Sequence, residues 1–197
     1  MARAHERARR QLLWALAAGC LLAWTLIWVG WVLPVAHSVE RATPVDLGQS
    51  LSVVLSADER AGIWVSGASA LLGTVRCTAR AGTESLPLRR VNALGWEDTL
   101  WWFTPRQGFV QRWQLQTVGE KAGPIVVECA DVLDRYGGEF LVAADTSGSG
   151  SVMRGVPMGT ALALGAVWLP LFVLILVPTL MVQALRRRGS VRQGSQR

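Results

Sequence analysis

Histidine is nearly missing from this chain. The two present, His5 and His37, lie on either side of a long apolar run near the start, and none falls between residues 49 and 144. A histidine-based catalytic triad or a histidine zinc site therefore has nothing to be built from in the middle of the sequence. Ser66 lacks the glycine two residues before it that a nucleophile elbow needs. The glycines around Gly67 and Gly73 do not form a phosphate-binding loop. Lysine occurs once, as Lys121, against 19 arginines. The overall charge of +6 is concentrated at the ends: residues 1–11 carry +3, residues 186–197 carry +5, and the stretch between them carries −2. The centre thus has no basic excess, which excludes nucleic acid as a partner.

Ionisable side chains are also absent from two long stretches. Leu12–Leu33 is an uncharged run of 22 residues, and Thr160–Leu185 is a second of 26, with Gln183 its only strongly polar side chain. About 20 helical residues cross a bilayer core, so each run predicts a transmembrane helix. Arg3, Arg7, Arg9 and Arg10 precede the first run; Arg186, Arg187, Arg188, Arg192 and Arg197 follow the second. The positive-inside tendency puts both termini in the cytoplasm and the centre outside. The expected class is a membrane protein: a two-helix transmembrane hairpin carrying an extracytoplasmic, all-β, antiparallel sandwich-like domain. The expected divisions are a basic N-terminus (1–11), helix one (12–33), a stalk (34–48), the β-sandwich (49–144), a flexible linker (145–158), helix two (159–185) and a basic tail (186–197). Membrane lipid is the first partner this implies, and the arginine clusters suit anionic headgroups. With no ionisable residue in either span, a proton or ion path is not expected.

Two other N-terminal readings are weaker. The first run is longer than the roughly 7–15 apolar residues of a cleavable signal. Leu16–Cys20 resembles a lipobox, but Leu21–Leu33 stays apolar where a lipoprotein turns polar. Ala15, Gly19 and Ala23 instead recur four apart, the small-xxx-small spacing that lets membrane helices approach closely. Gly159 with Ala163, and Ala161 with Gly165, repeat the spacing in the second run. In an antiparallel hairpin these two faces lie at different depths, which points one of them at another chain, a second membrane protein or a copy of this one. Trp24, Trp28 and Trp31 share one helical face, and Pro170 and Pro178 interrupt the backbone bonding of the second helix.

The central region alternates with the period of half-buried strands. Leu51, Val53 and Leu55 share a face; so do Val75, Cys77 and Ala79; so do Ile125, Val127 and Cys129. Cys77 and Cys129 are an even pair on inward faces in an oxidising compartment, which predicts a buried inter-strand disulfide. Cys20 stays a reduced, apolar residue. Gly62–Val65, Leu86–Val91, Leu100–Phe103, Phe109–Thr117 and Glu139–Ala143 complete seven or eight short strands separated by turn residues. An immunoglobulin-type core is not expected, because Val127 stands two residues before the second cysteine in place of a tyrosine.

Phe103-Thr104-Pro105-Arg106-Gln107-Gly108-Phe109, followed after a strand by Val127-Glu128-Cys129, resembles uncharacterised two-span actinobacterial envelope proteins with an aromatic, a proline, a Gly-aromatic pair, a strand and a cysteine in their outer domain. The resemblance implies location and architecture but no activity; the usual Gly-Tyr is Gly-Phe here.

Three functional readings follow. The first is a non-enzymatic membrane accessory or interaction protein, with no cofactor and no metal. The second is a module binding cell-wall or envelope glycan through exposed tryptophans, Trp96 with Trp101 or Trp102, since aromatic faces stack on sugars and anchor interfaces. The third is an envelope hydrolase using carboxylate pairs, Glu97 with Asp98 or Asp131 with Asp134.

Overall fold

The computed structural model describes residues 2–56, 60–91, 106, 108–116, 123–146, 152–153, 156–157 and 158–194. Two apolar helices bracket an antiparallel β-sheet domain. The chain divides into two compact units, 1–30 with 164–197, and 31–163.

The first unit is a helix pair. α1 spans Ala2–Ile27 and the closing helix, α4, spans Met158–Gly194. Two segments, Gln11–Arg41 and Ala161–Gln183, are long and apolar enough to cross a membrane. Trp24 faces Ala166, and Ile27 faces Gly165, so the helices run antiparallel. A Cβ on Gly165 would come within 2.8 Å of Ile27 Cδ1, so this glycine is what allows the approach. Pro170 has no N–H to give the Ala166 carbonyl one turn earlier. The Trp24 indole Nε1–H donates to that same carbonyl at 3.1 Å, and Trp24 and Trp28 lie with ring centroids 6.1 Å apart. The contact face of α1 includes buried Ala17 and half-buried Cys20 and Trp24. Ala15 and Gly19 lie on the opposite side, exposed, with nothing within 4 Å of Gly19; Ala23 is half-buried between.

The second unit differs from expectation at its start. Residues 34–48, expected as a stalk, begin as helix: after a π-helical turn at Trp28–Val32, α2 spans Leu33–Arg41 with Pro34 in its first turn. Val35, Ala36 and Val39, spaced to share one face, are buried. α2 ends at Ala42 in extended conformation. The strands follow: β1 (Val45–Asp46), β2 (Ser50–Leu55), β3 (Arg60–Val65), then the short helix α3 (Ala68–Leu72), β4 (Val75–Ala81), β5 (Glu84–Leu86), β6 (Leu88–Arg90), β7 (Val110–Gln116), β8 (Gly123–Asp131) and β9 (Glu139–Ala144). Val152–Met153 and Val156–Pro157 form a small hairpin, β10 and β11.

One sheet has the order β1-β9-β3-β7-β6, the other β2-β8-β4-β5. The alternating faces identified from sequence meet in one core: Ile63, Val65, Leu115 and Phe140 from the first sheet against Val75, Ile125, Val127 and Cys129 from the second. Cys77 and Cys129 sit directly opposite each other on β4 and β8, with Cα atoms 4.1 Å apart, and are joined by a disulfide. The first sheet is covered on its other face too, where α2 packs along β9. This explains why β3 is buried at five consecutive residues, Ala61 to Val65.

A bulge in β7 reverses its alternation. Ile63 pairs with Trp113 and Trp64 with Gln111, leaving Arg112 as the extra residue. Val110, rather than Phe109, therefore joins Trp113 and Leu115 in the core. Gln111 and Gln114 turn to the helix-covered face and hold the residues that follow β9. Gln111 Nε2 donates to Asp145 Oδ1 (2.6 Å), Gln114 Nε2 donates to Asp145 Oδ2 (2.6 Å), and Gln111 Oε1 accepts from Thr146 N (2.8 Å) and Oγ1 (2.6 Å). The segment expected to begin a flexible linker at Asp145 is thus clamped for its first two residues.

Candidate functional site

The two ends of the sandwich differ. At one, α2 leads in and Thr146 leads out; Ser38 Oγ there accepts the Ala144 N–H at 2.9 Å. At the other, the connections β3–β4 and β8–β9 come together. Loops clustered on a rigid scaffold are where binding surfaces are generally built, and several local devices hold these.

The β3–β4 connection carries α3, which ends at Gly73 in the left-handed conformation (φ 70°). Arg112, turned by the β7 bulge, is buried beneath it and donates through Nε to Ala70 O at 3.2 Å, placing a cation at the negative end of the helix. The β8–β9 connection is organised by Asp131. Its carboxylate accepts the N–H of Leu133 (3.3 Å), Arg135 (3.0 Å) and Tyr136 (2.9 Å). The Thr74 hydroxyl, first among the causes, and these backbone donors lower its pKa from 3.8 to about 2. The two loops lie side by side: Val132 N donates to Thr74 O (3.1 Å) and Ser66 N to Glu139 O (2.9 Å). A Cβ on Gly138 would sit 2.4 Å from Ser66 O, and one on Gly67 (φ 87°) would sit 2.7 Å from Gly137 O, so backbone touches backbone here.

What these loops display is apolar. Leu71, Leu72, Val132, Leu133 and Tyr136 are between 37% and 73% exposed. Five large side chains on adjoining loops make a patch on the order of 500 Å², in the range of the largest patches on monomers, which are often functional. Sequence reasoning gave these positions no role and so missed the patch. The available signal was the pair of apolar residues, Leu71-Leu72 and Val132-Leu133, placed off the alternating strands.

The expected tryptophan surface, Trp96, Trp101 and Trp102, lies outside the described residues, as do Glu97 and Asp98 and most of the motif from Phe103 to Gln107. The ends of that connection are described, and both lie at this same pole: Val91 N donates to Arg112 O (2.9 Å), and the Arg106 guanidinium donates to Ala42 O at the C-terminus of α2. Trp64 and Trp113 are buried, Trp64 giving its Nε1–H to Ala144 O at 3.2 Å. Of the second carboxylate pair, Asp131 is occupied in holding the loop, and Asp134 adopts the left-handed conformation beside it (φ 47°).

The depressed Asp131 pKa sets a pH dependence. The carboxylate is the form the fold binds, so its contribution is complete above the unfolded value near 4 and is lost as pH falls toward about 2. The protection of the Arg135 and Tyr136 amides, taken relative to intrinsic exchange at each pH, is expected to fall over that window in the native chain. In Asp131→Asn protection should be low throughout and nearly pH-independent; parallel protection profiles in the two proteins would remove Asp131 from this role.

No protein-family model matches this sequence, and no curated protein matches it.

Proposed function

We propose that this is a non-enzymatic, membrane-anchored accessory protein whose extracytoplasmic β domain docks a protein partner through the loop pole. The observation that carries this reading is the apolar patch of Leu71, Leu72, Val132, Leu133 and Tyr136 on loops fixed by Asp131 and by the Gly67 and Gly138 contacts. Rigid apolar groups outside the core reduce the ordering cost of association, and nothing in the interior of the domain requires them. The two apolar helices serve as the anchor, with the flanking arginines in the cytoplasm and the disulfide in an oxidising compartment. Within the membrane, the exposed Ala15–Gly19 face of α1 suits close approach by a further helix, from another membrane protein or a second copy.

The test is photo-crosslinking in native membranes from probes placed at Leu72 and Leu133, with a probe at Val126 on the outer face of the second sheet as control. A discrete protein adduct at the first two positions, absent at the third, is expected. Leu71→Asp with Leu133→Asp should reduce it at least about tenfold, as for removal of a patch-centre anchor; adducts of equal yield at all three positions would reject the docking surface.

Glycan binding remains the second reading because the tryptophan-bearing connection departs from Val91 and returns by Arg106 at this same pole. Cosedimentation of the full chain with purified cell wall, abolished by Trp101→Ala with Trp102→Ala and unaffected by the two aspartates, would favour it over a protein partner.

A further inference from the structure

The loop pole carries charge of opposite sign on its two sides. In the sheet ordered β1-β9-β3-β7-β6, the last residue of β1, Asp46, lies beside the first residue of β9, Glu139, at one margin. Arg89 and Arg90 end β6 at the other margin. These side chains are exposed, and none has an ion pair among the described residues. β6 stands three strands from β9 and four from β1, so acid and base are separated by about 14–19 Å at the usual 4.8 Å per strand. The apolar patch lies between them, on the loops that leave β3 and enter β9. Tyr136 stands three residues before Glu139. At the other side, a Cβ on Gly73, next to Leu72, would lie 3.4 Å from Arg90 Nη2.

The acidic margin carries a repulsion of its own. Asp46 and Glu139 are directly opposite each other in the β1–β9 pair, and like charges so placed destabilise a sheet. Cations brought to this margin relieve that cost. A partner of one sign engages one margin and is repelled by the other. A second copy, turned about a two-fold axis through the patch, brings its arginines to the carboxylates and its carboxylates to the arginines, so both margins are satisfied at once. Two apolar patches of this size remove about 1,000 Å² from water, and the charged margins carry the total toward the roughly 1,200–2,000 Å² of specific interfaces.

Resting on the reading of this pole as a docking surface, we propose that its partner is a second copy of this chain, joined pole to pole about a two-fold axis. Leu71, Leu72, Leu133 and Tyr136 form the centre, and Arg89 and Arg90 of each copy face Asp46 and Glu139 of the other. Every group involved belongs to the compact unit 31–163.

The experiment uses two full-length copies with different tags, coexpressed in native membranes, one of them carrying a photoreactive residue at Leu133. An adduct bearing both tags is expected, its crosslinked peptide falling within residues 67–73 or 131–139 of the second copy. Arg89→Glu with Arg90→Glu in both copies should lower its yield at least about tenfold, because like charges then meet at both margins. Asp46→Arg with Glu139→Arg in both copies should do the same. One copy of each kind should restore the adduct, which a merely damaged fold would not do. A yield unchanged in both variants, or one that mixing does not restore, would overturn the pairing. Adducts from Leu133 to a different polypeptide alone would overturn the second copy and leave the docking surface standing. Absence of any discrete adduct from Leu133 would overturn both.

Discussion

Reducing the Cys77–Cys129 bridge is expected to lower the unfolding midpoint of the β domain by about 15 °C. The bridge joins residues 52 apart in sequence, and closing a loop of that length stabilises by about 4 kcal/mol in the chain-entropy account. At roughly 3–5 °C per kcal/mol for a unit of this size, the shift follows. The loop it closes runs from β4 through β5, β6 and β7 to β8, and so passes from one sheet into the other and back. Its loss therefore frees strands on both sides of the core, not only the β4–β8 pair. Thermal melts of the full chain in mild detergent, with and without reductant, measure this. Cys77→Ala with Cys129→Ala should reproduce the reduced midpoint and make it insensitive to reductant, and Cys20→Ser should leave the native response in place. A native midpoint unmoved by complete reduction would show that the bridge contributes nothing.

Replacing Gln111 by leucine is expected to be nearly as damaging, at about 3–4 kcal/mol. The amide of Gln111 is 2% exposed and fully used: it donates to Asp145 Oδ1 and to Trp113 O, and it accepts twice from Thr146. Leucine leaves the buried Thr146 N–H and hydroxyl unmatched and takes one of the two amide donors from the Asp145 carboxylate. Each orphaned buried group costs about 1–3 kcal/mol, and more where charge is involved. Hydrogen exchange separates this from general destabilisation: protection at the Thr146 amide should disappear while that of β8 amides falls only with global stability. Retained protection at Thr146 in Gln111→Leu would mean that the clamp is not what holds the chain after β9. Gly62 supports the same reading, since a Cβ there would lie 2.7 Å from Gln111 Cδ and 2.9 Å from Trp64 Nε1.

Much of this architecture was legible in the amino-acid pattern, for identifiable reasons. Val75-Arg76-Cys77-Thr78-Ala79 alternates without interruption, and period two has only one structural meaning where one face is buried. The same pattern at Ile125–Cys129 put both cysteines inward, and the bridge follows from two such strands pairing. The apolar helices were evident from length and absence of charge. Less legible was α2, because Val35, Ala36 and Val39 supply only one short apolar face in a segment that also carries His37, Ser38, Glu40 and Arg41. The consequence, that one sheet is covered twice, was present in the continuous run Ala61–Val65, which is what a strand buried on both faces looks like. The β7 bulge was hidden for a different reason: Phe109, Trp113 and Leu115 share odd numbering, and a single inserted residue breaks that inference without leaving a mark in composition. At the loop pole, Leu71-Leu72 and Val132-Leu133 read as ordinary apolar pairs until their exposure was known, since a pair of apolar residues does not say which way it faces.

Pro170 and Trp24 give the two apolar helices an address for each other. Hydrocarbon offers no preference among aliphatic helix surfaces, since lipid tails are as apolar as leucine, so two greasy helices slide and rotate at little cost. A proline creates one carbonyl without a donor at one height, and the indole Nε1–H of Trp24 answers it at 3.1 Å. Sliding α1 by one residue moves that donor about 1.5 Å along the axis and turns it by about 100° away. The match therefore fixes depth and rotation together, with a single proton. Substituting either helix by an unrelated one of equal hydropathy keeps two apolar helices but erases this registration.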